Sequence, residues 1–235
     1  MYFESLSTPV SYEKRIVCFF DILGWKNHIT AAGQDPIEIG KLTYLPRILT
    51  SELAKTKSQT GNGKITSFSD CAVASMPIGE TSISNFIAGL SNVFIGAALN
   101  GFFLRAGVTI GEIYHTDEMV FGPALNRAYD LESKGGGPRI LLDDDIEEFN
   151  NAKMDIIFRE DKLFADPFTL SFFRRNELLN KSISGSESPG VKHFLEVEKI
   201  ALNCMEKAAA GADQEKMRWL YRRLRAQSRK IFSPD

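Results

Sequence analysis

The chain has little cysteine and little histidine, and neither residue is arranged as in a metal or redox centre. Its 235 residues include three cysteines and three histidines. Cys18, Cys71 and Cys204 are widely spaced, so they indicate neither a disulfide framework nor a thiolate metal cluster. The histidines stand alone at positions 28, 115 and 193, and we expect core or surface roles for them. A reducing, cytoplasmic compartment fits this composition best.

An excess of charge of one sign and long apolar runs are also lacking. Lys and Arg number 28 against 30 Asp and Glu, a formal net charge of −2, so charge does not indicate a nucleic-acid partner. No apolar run reaches the roughly 18 residues that span a bilayer. Residues 1–5 lack the basic and then apolar pattern of a signal peptide. We therefore expect a globular protein with no membrane span.

The chain does contain a regular succession of strand and helix patterns. It predicts strands at 15–22, 64–68, 71–76, 102–114, 119–121 and 139–142, and helices at 37–55, 81–99 and 123–133. The order β-α-β-β-α-β is that of a ferredoxin-like (split βαβ) sheet, so the predicted fold class is α+β. Gly107 and Gly111 in the long strand predict bulges or close backbone approach.

The patterns weaken after residue 150. They predict a hairpin at 155–158 and 163–168, a loop at 181–190, a final strand at 191–197 and helical structure from 198 to 230. We therefore divide the chain into a main domain, residues 1–197, and a C-terminal helical extension, residues 198–235.

Two apolar, β-prone segments each end at one aspartate. Asp21 follows the strand at 15–22, and Asp70 lies near the bend of the hairpin formed by 64–68 and 71–76. If the two strands are neighbours, the carboxylates share one small volume, where they would repel each other and raise each other's pKa. Hard cations such as Mg²⁺ or Mn²⁺ remove that conflict, and two metals about 4 Å apart serve phosphoryl transfer. The alternative is that each aspartate only caps a strand.

With a third segment, these motifs resemble the class III nucleotidyl cyclases, the adenylate and guanylate cyclase family. Phe19 to Trp25 is similar to the family's F-x-D-I-x-G-F motif, and Ser69-Asp70 to its second metal motif. Arg105 to Gly111 is similar to R-x-G-I-x-x-G, and Gly122 to Asn126 to G-x-x-V-N. The resemblance covers residues 15 to about 142, and it implies a cyclase catalytic domain.

The departures from the family pattern concern the base and the transition state. Asp130 stands where purine cyclases have an arginine, and Thr66 and Met119 stand where they have the lysine and aspartate that read the purine. The helix entry from Gly122 to Glu132 is similar to the stand-alone pyrimidine cyclases of the bacterial Pycsar anti-phage system. That group makes cyclic UMP or cyclic CMP, which a separate effector reads.

The resemblance implies roles for individual residues. Asp21, Asp70 and the Ile22 carbonyl would bind two Mg²⁺ or Mn²⁺ ions. Backbone N–H groups of Leu23, Gly24 and Trp25 would bind phosphate, and Thr66 and Met119 would line the base pocket. Asn126 would orient the ribose or α-phosphate. Because Asp130 has the wrong charge, the cation that stabilises the transition state is sought among Arg105, Arg127, Arg139 and Lys192, with Lys192 favoured for the triphosphate.

These inferences lead to a uridylate cyclase, which converts UTP to 3′,5′-cyclic UMP and pyrophosphate. In this family the site lies between two catalytic domains, so the resemblance implies a homodimer. Three alternatives stay open: a cytidylate cyclase acting on CTP, a purine cyclase acting on ATP or GTP, and an inactive cyclase-like module that binds nucleotide and dimerises. Both aspartates argue against the last, whereas Asp130 argues for it.

Overall fold

The computed structural model describes residues 10–43, 62–79, 83–146, 154–178, 188–208 and 211–232. Eight strands lie in these ranges: β1 (Glu13–Ile22), β2 (Lys64–Phe68), β3 (Cys71–Pro77), β4 (Leu104–His115), β5 (Val120–Phe121), β6 (Ile140–Leu142), β7 (Ile157–Arg159) and β8 (Leu163–Ala165). The same ranges contain seven helices: α1 (Trp25–Ala32), α2 (36–43), α3 (Ile83–Leu99), α4 (Pro123–Ser133), α5 (Leu170–Leu178), α6 (Pro189–Lys207) and α7 (Ala212–Phe232).

The strands form one mixed sheet in the order β2-β3-β1-β4-β6-β8-β7, with β5 paired to β4 beside this path. The central strand β1 is antiparallel to both β3 and β4, whereas β4 and β6 are parallel. This arrangement confirms the predicted α+β split βαβ fold, and the C-terminal helices are present as well. The hairpin predicted after residue 150 is also confirmed, because β7 and β8 are antiparallel neighbours.

The two faces of the sheet carry different helices. Alternate residues of β1, such as Cys18 and Phe20, enter the main hydrophobic core, to which α3, α6 and α7 contribute side chains. The opposite residues, such as Val17, pack in a smaller cluster with Ala124 and Ala128 of α4. Asp21 shares this second face by alternation. The α4 face is therefore the one that positions the candidate site.

Gly107 of β4 allows α4 to lie directly against the sheet. A Cβ atom built at Gly107 would lie 2.1 Å from the carbonyl oxygen of Ala128 and 2.8 Å from the backbone nitrogen of Glu132. The close approach predicted from sequence is thus confirmed. The register between β1 and β4 runs without interruption from Glu13 to Ile22, so no bulge interrupts this pairing.

The final strand predicted at 191–197 is wrong, because this segment belongs to α6. Ser188 caps the helix by accepting a hydrogen bond from the Val191 N–H, and Pro189 occupies the first turn. Val191, Phe194, Val197 and Ala201 are buried at helical spacing. The boundary drawn at 197/198 falls inside this helix, and α7 adds Leu220 and Leu224 to the same core. The structure therefore marks no separation there.

Some predictions concern residues outside the described ranges. The predicted helix at 37–55 is seen as α2 to residue 43, and residues 44–55 lie outside the described part, as do 181–187 of the predicted loop. Across the described ranges, the structure contains no helix with the length and apolar character that crossing a membrane requires.

Candidate active site

Asp21 and Asp70 lie at neighbouring strand ends. The register places Asp21 opposite Cys71 of β3 on one side and Arg105 of β4 on the other. Asp70 occupies the turn between β2 and β3, next to Ser69, whose φ of 55° is left-handed. The Asp70 carbonyl accepts a 3.0 Å hydrogen bond from the Ile22 N–H. Backbone contacts therefore hold the two aspartate segments together, and the hairpin bend predicted at Asp70 is present.

The Asp21 carboxylate has a counter-ion within the chain. Arg105 donates from Nε to Oδ1 at 3.1 Å and from Nη2 to Oδ2 at 2.6 Å. The same Nη2 lies 2.8 Å from Oε1 of Glu132, in contact but without hydrogen-bond alignment. The Glu132 side chain is only 4% exposed. Arg105 thus bridges a strand-end carboxylate and a helix carboxylate, and this bidentate geometry orients Asp21.

Negative charge is concentrated at the ends of β1 and β3. Burial, together with the nearby Asp21 charge, raises the pKa of Glu132 to about 7, although Arg105 opposes the shift. The pKa of the Cys71 thiol is raised as well, by burial and then by Asp70, Asp21 and Glu132. Three carboxyl groups therefore act on one thiol, which shows that their fields converge at the ends of β1 and β3.

The oxygen groups of this site suit a hard divalent cation. A carboxylate oxygen has two lone pairs, so the Arg105 contacts leave acceptor capacity on Asp21. For Asp70, no side-chain hydrogen bond or ion pair is recorded among the described residues. Those residues contain no ready cluster of three His, Cys, Asp or Glu ligands. Mg²⁺ is commonly held by one or two carboxylates plus substrate phosphates, so two aspartates and the Ile22 carbonyl fit that cation.

The predicted phosphate-binding segment is only partly available. The Leu23 N–H donates to the carbonyl of Phe103, the residue just before β4, at 2.8 Å, so in this structure it is engaged within the chain, and its phosphate role stays a prediction. Gly24 has a φ of 72° and caps α1, which leaves the N–H groups of Gly24 and Trp25 at the helix N-terminus. A helix start of this kind favours anions.

Thr66 and Met119 lie beside the β4–β5 hairpin. Thr66 Oγ1 is 3.0 Å from Nε2 of His115, the last residue of β4. Met119 is 52% exposed, and its carbonyl accepts a hydrogen bond from the Thr116 N–H. Sequence analysis missed His115, which it left to a core or surface role. A lone histidine at a strand end is too weak a sequence signal to identify this contact when the register of the sheet is unknown.

The cations considered for the transition state are placed differently. Arg105 lies in the site, as described above. Arg127 on α4 is near Asp143 and Asp145, at 3.9 Å from each. Arg139 is buried with Nε donating to the Gly135 carbonyl, and its guanidinium lies over Phe164 and Trp219.

Among the described residues, no recorded contact joins Arg139 or Lys192 to Asp21, Arg105 or Glu132. The Arg139 guanidinium is held by an aromatic cluster from β8 and α7. Lys192 is exposed in the first turn of α6 rather than on a strand. The strand predicted at 191–197 is thus absent around Lys192, and its triphosphate role stays a prediction from the resemblance.

Asn126 and Asp130 are exposed on α4, one helical turn apart. The α4 residue that contacts Arg105, and whose pKa Asp21 helps to raise, is Glu132 instead. Within one chain, no contact recorded for the described residues joins Asn126 to the aspartates, and its side chain remains accessible to a second molecule.

No protein-family model and no curated protein matches the sequence. Solved structures do match. The monomeric guanylyl cyclase domain of the RhoGC fusion protein from the aquatic fungus Blastocladiella emersonii aligns with a TM-score of 0.50 and 15% identity over 66% of this chain and 96% of that one. A double mutant of that domain aligns with a TM-score of 0.51 and 14% identity over 67% and 96%. These likenesses show that the chain has the fold of a cyclase catalytic domain.

Proposed function

We propose that the protein is a nucleotidyl cyclase that converts UTP to 3′,5′-cyclic UMP and pyrophosphate. The observation that carries the proposal is the pair Asp21 and Asp70, held at adjacent strand ends of a sheet with the cyclase fold. In the reaction the ribose 3′-hydroxyl loses its proton to water, and its oxygen forms a bond to the α-phosphorus. The bond from that phosphorus to the bridging oxygen of the β-phosphate breaks, and pyrophosphate leaves.

Asp21, Asp70 and the Ile22 carbonyl would hold Mg²⁺ or Mn²⁺. When bound, these ions would lower the pKa of the 3′-hydroxyl and neutralise the triphosphate. Arg105 orients Asp21 for that role through its bidentate contact. The N–H groups of Gly24 and Trp25 at the start of α1 would donate hydrogen bonds to phosphate oxygens.

A complete site requires a second copy of the chain. Asn126, which would orient the ribose or α-phosphate, is exposed and has no recorded contact with the aspartates among the described residues. Large apolar side chains are also exposed on or beside the α4 face: Tyr12, Phe68, Met119, Phe121 and Tyr129 are between 42% and 80% accessible. A homodimer would cover them and bring the partner's Asn126 to the metal-binding half.

The base pocket supports a pyrimidine. Thr66 is a short hydroxyl and Met119 an apolar side chain, and neither can supply the lysine and carboxylate that read a purine. CTP remains the alternative substrate. By resemblance, the cyclic product would be a second messenger of anti-phage defence, read by a separate effector.

The test is to incubate the purified protein with Mn²⁺ or Mg²⁺ and each of ATP, GTP, CTP and UTP, and to identify products by mass spectrometry. We expect at least a roughly tenfold preference for a pyrimidine triphosphate, about 1.4 kcal/mol of differential transition-state binding. Faster turnover of ATP would contradict the pyrimidine assignment but not the cyclase. No product from any substrate by dimeric protein would favour the inactive module.

The aspartate assignment has its own test. Asp21→Asn and Asp70→Asn should each abolish turnover at saturating Mn²⁺ while the protein stays folded and dimeric. Asp144→Asn is the matched control, because Asp144 is exposed and paired only with Arg159 among the contacts recorded. Near-normal activity of either site variant would show that the two-metal assignment is wrong.

A further inference from the structure

The C-terminal helix α7 begins beside the end of α4 that carries Glu132. Trp219 of α7 packs on Gly137, where a Cβ atom would lie 2.5 Å from the indole ring. Gly137 belongs to the short segment that follows α4, and a Cβ atom at Gly135 in that segment would lie 2.9 Å from the Glu132 carbonyl oxygen. The backbone therefore brings the start of α7 next to the pair formed by Arg105 and Glu132.

A cluster of aromatic rings and guanidinium groups fixes α7 in this place. The Trp219 ring lies edge-on to the Phe164 ring of β8, with 6.2 Å between the centroids. The guanidinium groups of Arg139 and Arg223 lie over both rings, between 4.9 and 5.2 Å from their centroids. Arg223 Nε also donates at 2.8 Å to Asp166, whose side chain is 1% exposed. These directional contacts leave α7 little freedom to slide along the sheet.

Asp213 and Lys216, here called the α7 pair, form an ion pair in the first turns of this helix. Lys216 Nζ lies 3.1 Å from Oδ1 of Asp213. The Lys216 side chain is only 22% exposed, whereas that of Asp213 is 50% exposed. Lys216 precedes Trp219 by three positions, so both side chains leave α7 on the same side. The lysine is therefore directed toward the end of α4 on which Trp219 packs.

The charges of the α7 pair are complementary to those of the site. Burial lowers the pKa of Arg105, but the Asp21 hydrogen bond and three carboxylate charges, that of Asp213 among them, raise it above its ordinary value. Burial and the Asp21 charge raise the pKa of Glu132, and positive charges that include Lys216 oppose this shift. Asp213 thus stabilises the Arg105 cation, and Lys216 stabilises the Glu132 anion.

We infer that the α7 pair holds Arg105 and Glu132 in the positions from which Arg105 orients Asp21. Asp213 and Lys216 are then positioning residues, and α7 is part of the metal-binding half of the site. This inference rests on the proposed cyclase function and deepens it. Keeping two opposite charges in a nearly buried place is costly, and neighbouring charges of complementary sign lower that cost. Charges of the opposite arrangement would drive the two side chains apart and leave Asp21 without its orientation.

A swap of the α7 pair tests this inference. Asp213→Lys/Lys216→Asp keeps the ion pair, the composition and the net charge, but it places a cation toward Arg105 and an anion toward Glu132. The readout is the Mn²⁺ dissociation constant, measured by electron paramagnetic resonance at pH 8 without nucleotide. The swap should raise this constant at least fivefold. The conservative variant Asp213→Glu/Lys216→Arg keeps both charges in place and should stay within twofold of the parent.

The matched control is the swap Glu215→Arg/Arg218→Glu on the same helix. It reverses another ion pair with the same spacing, which is more exposed to solvent than the α7 pair. Asp213 and Glu215 both lie in the first turn, so the two swaps disturb the helix dipole alike. The control should leave the Mn²⁺ dissociation constant within twofold of the parent. Equal constants for the two swaps would overturn the inference.

A milder variant covers the case in which the double swap does not fold, as judged by circular dichroism. Lys216→Met removes only the cation and should raise the Mn²⁺ dissociation constant at least threefold, whereas Arg218→Met should not change it. Equal constants for these two variants would also overturn the inference.

The Mn²⁺ measurement also separates this inference from the proposed function. If the parent binds Mn²⁺ but makes no product from any of the four triphosphates, the cyclase proposal fails and the comparison of the swaps still decides the role of the α7 pair. If the parent binds no Mn²⁺, the metal site is wrong and the inference falls with it.

Discussion

Arg105 is the counter-ion of Asp21, so it reduces the repulsion between the two aspartates without a metal. Their mutual repulsion was the starting point for inferring metals, yet in the structure Asp21 already has a cation bound through both carboxylate oxygens. The same cation also offsets Glu132, whose side chain is almost fully buried. A metal ligand with a counter-ion behind it can be oriented before any metal binds, because Arg105 orders the side chain.

Removal of Arg105 should therefore destabilise the fold. In Arg105→Gln, Asp21 and Glu132 lose their shared cation, and we expect a loss of about 2–3 kcal/mol in the free energy of unfolding, since breaking a buried pair leaves an uncompensated charge. The double variant Arg105→Gln/Glu132→Gln should recover part of the loss. Urea denaturation at pH 8 measures both variants and the single variant Glu132→Gln, which completes the cycle. An interaction energy below about 0.5 kcal/mol in this double-mutant cycle would contradict the coupling.

His115 makes stability depend on pH. Its folded pKa, about 4, lies below the ordinary 6.5, so the unfolded chain binds the proton more strongly. The stability of the neutral ring is complete above pH 6.5 and is lost as pH falls toward 4, by about 3 kcal/mol at 1.36 kcal/mol per pKa unit. The groups facing the ring are Arg15, Lys64 and Asp117.

The measurement compares the parent with His115→Gln in urea at pH 7.5 and pH 4.5. The parent's stability advantage should narrow by about 2–3 kcal/mol at the lower pH, because only the parent carries this titrating group. The carboxylates titrate in both proteins and cancel in the difference. A constant advantage across this range would show that the ring is not held neutral.

At the scale of elements, α4 and β4 lie so close that a single methyl group does not fit between them. The backbone atoms of Ala128 and Glu132 face Gly107, and backbone cannot move aside as a flexible side chain can. This contact also sets where Glu132 meets Arg105. The glycine is thus as much a part of the site as the charged residues are.

Gly107→Ala should lower the free energy of unfolding by about 3 kcal/mol, at the upper end of overpacking effects. It should also reduce turnover, because α4 would have to shift with Glu132. Gly40→Ala is the control: Gly40 lies in the exposed helix α2 with no atom near its would-be Cβ. That variant should be neutral or gain up to about 1 kcal/mol. Equal stabilities for the two variants would contradict the packing argument.

At the scale of the whole molecule, the proposed site is divided between two chains. The aspartates lie at strand ends, and Asn126 lies on an exposed helix face of the same subunit. An inactive Asp70→Asn chain and an inactive Asn126→Ala chain should therefore complement each other. Random exchange makes half the dimers mixed, each with one intact site, so about a quarter of the parent activity should return.

The control for this experiment is a mixture of Asp70→Asn with Asp21→Asn chains. Both lesions lie in the same half of the site, so no dimer of these two chains contains an intact site. Subunit exchange is followed by fluorescence transfer between labelled chains. Complete exchange without rescue in the Asp70→Asn and Asn126→Ala mixture would place the whole site within one chain.

The sequence by itself determined the order of strands and helices from β1 to β6 apart from the unpredicted helix α1, the aspartates at two strand ends and the glycine that admits α4. These follow from short-range rules of periodicity, turns and backbone space. The strand predicted at 191–197 is wrong because a brief apolar run fits a strand as well as a helix. The Ser188-Pro189 cap is the signal that identifies the helix.

Only the tertiary structure decided the partners of the polar side chains. Arg105 and Asp21 are 84 positions apart, and Thr66 and His115 are 49 apart. The Leu23 N–H, too, is engaged by the Phe103 carbonyl. Such partners depend on strand register, because a shift of one residue would move every side chain of a strand to the opposite face of the sheet. Local sequence carries no record of that register, so these contacts emerge only when the sheet is assembled.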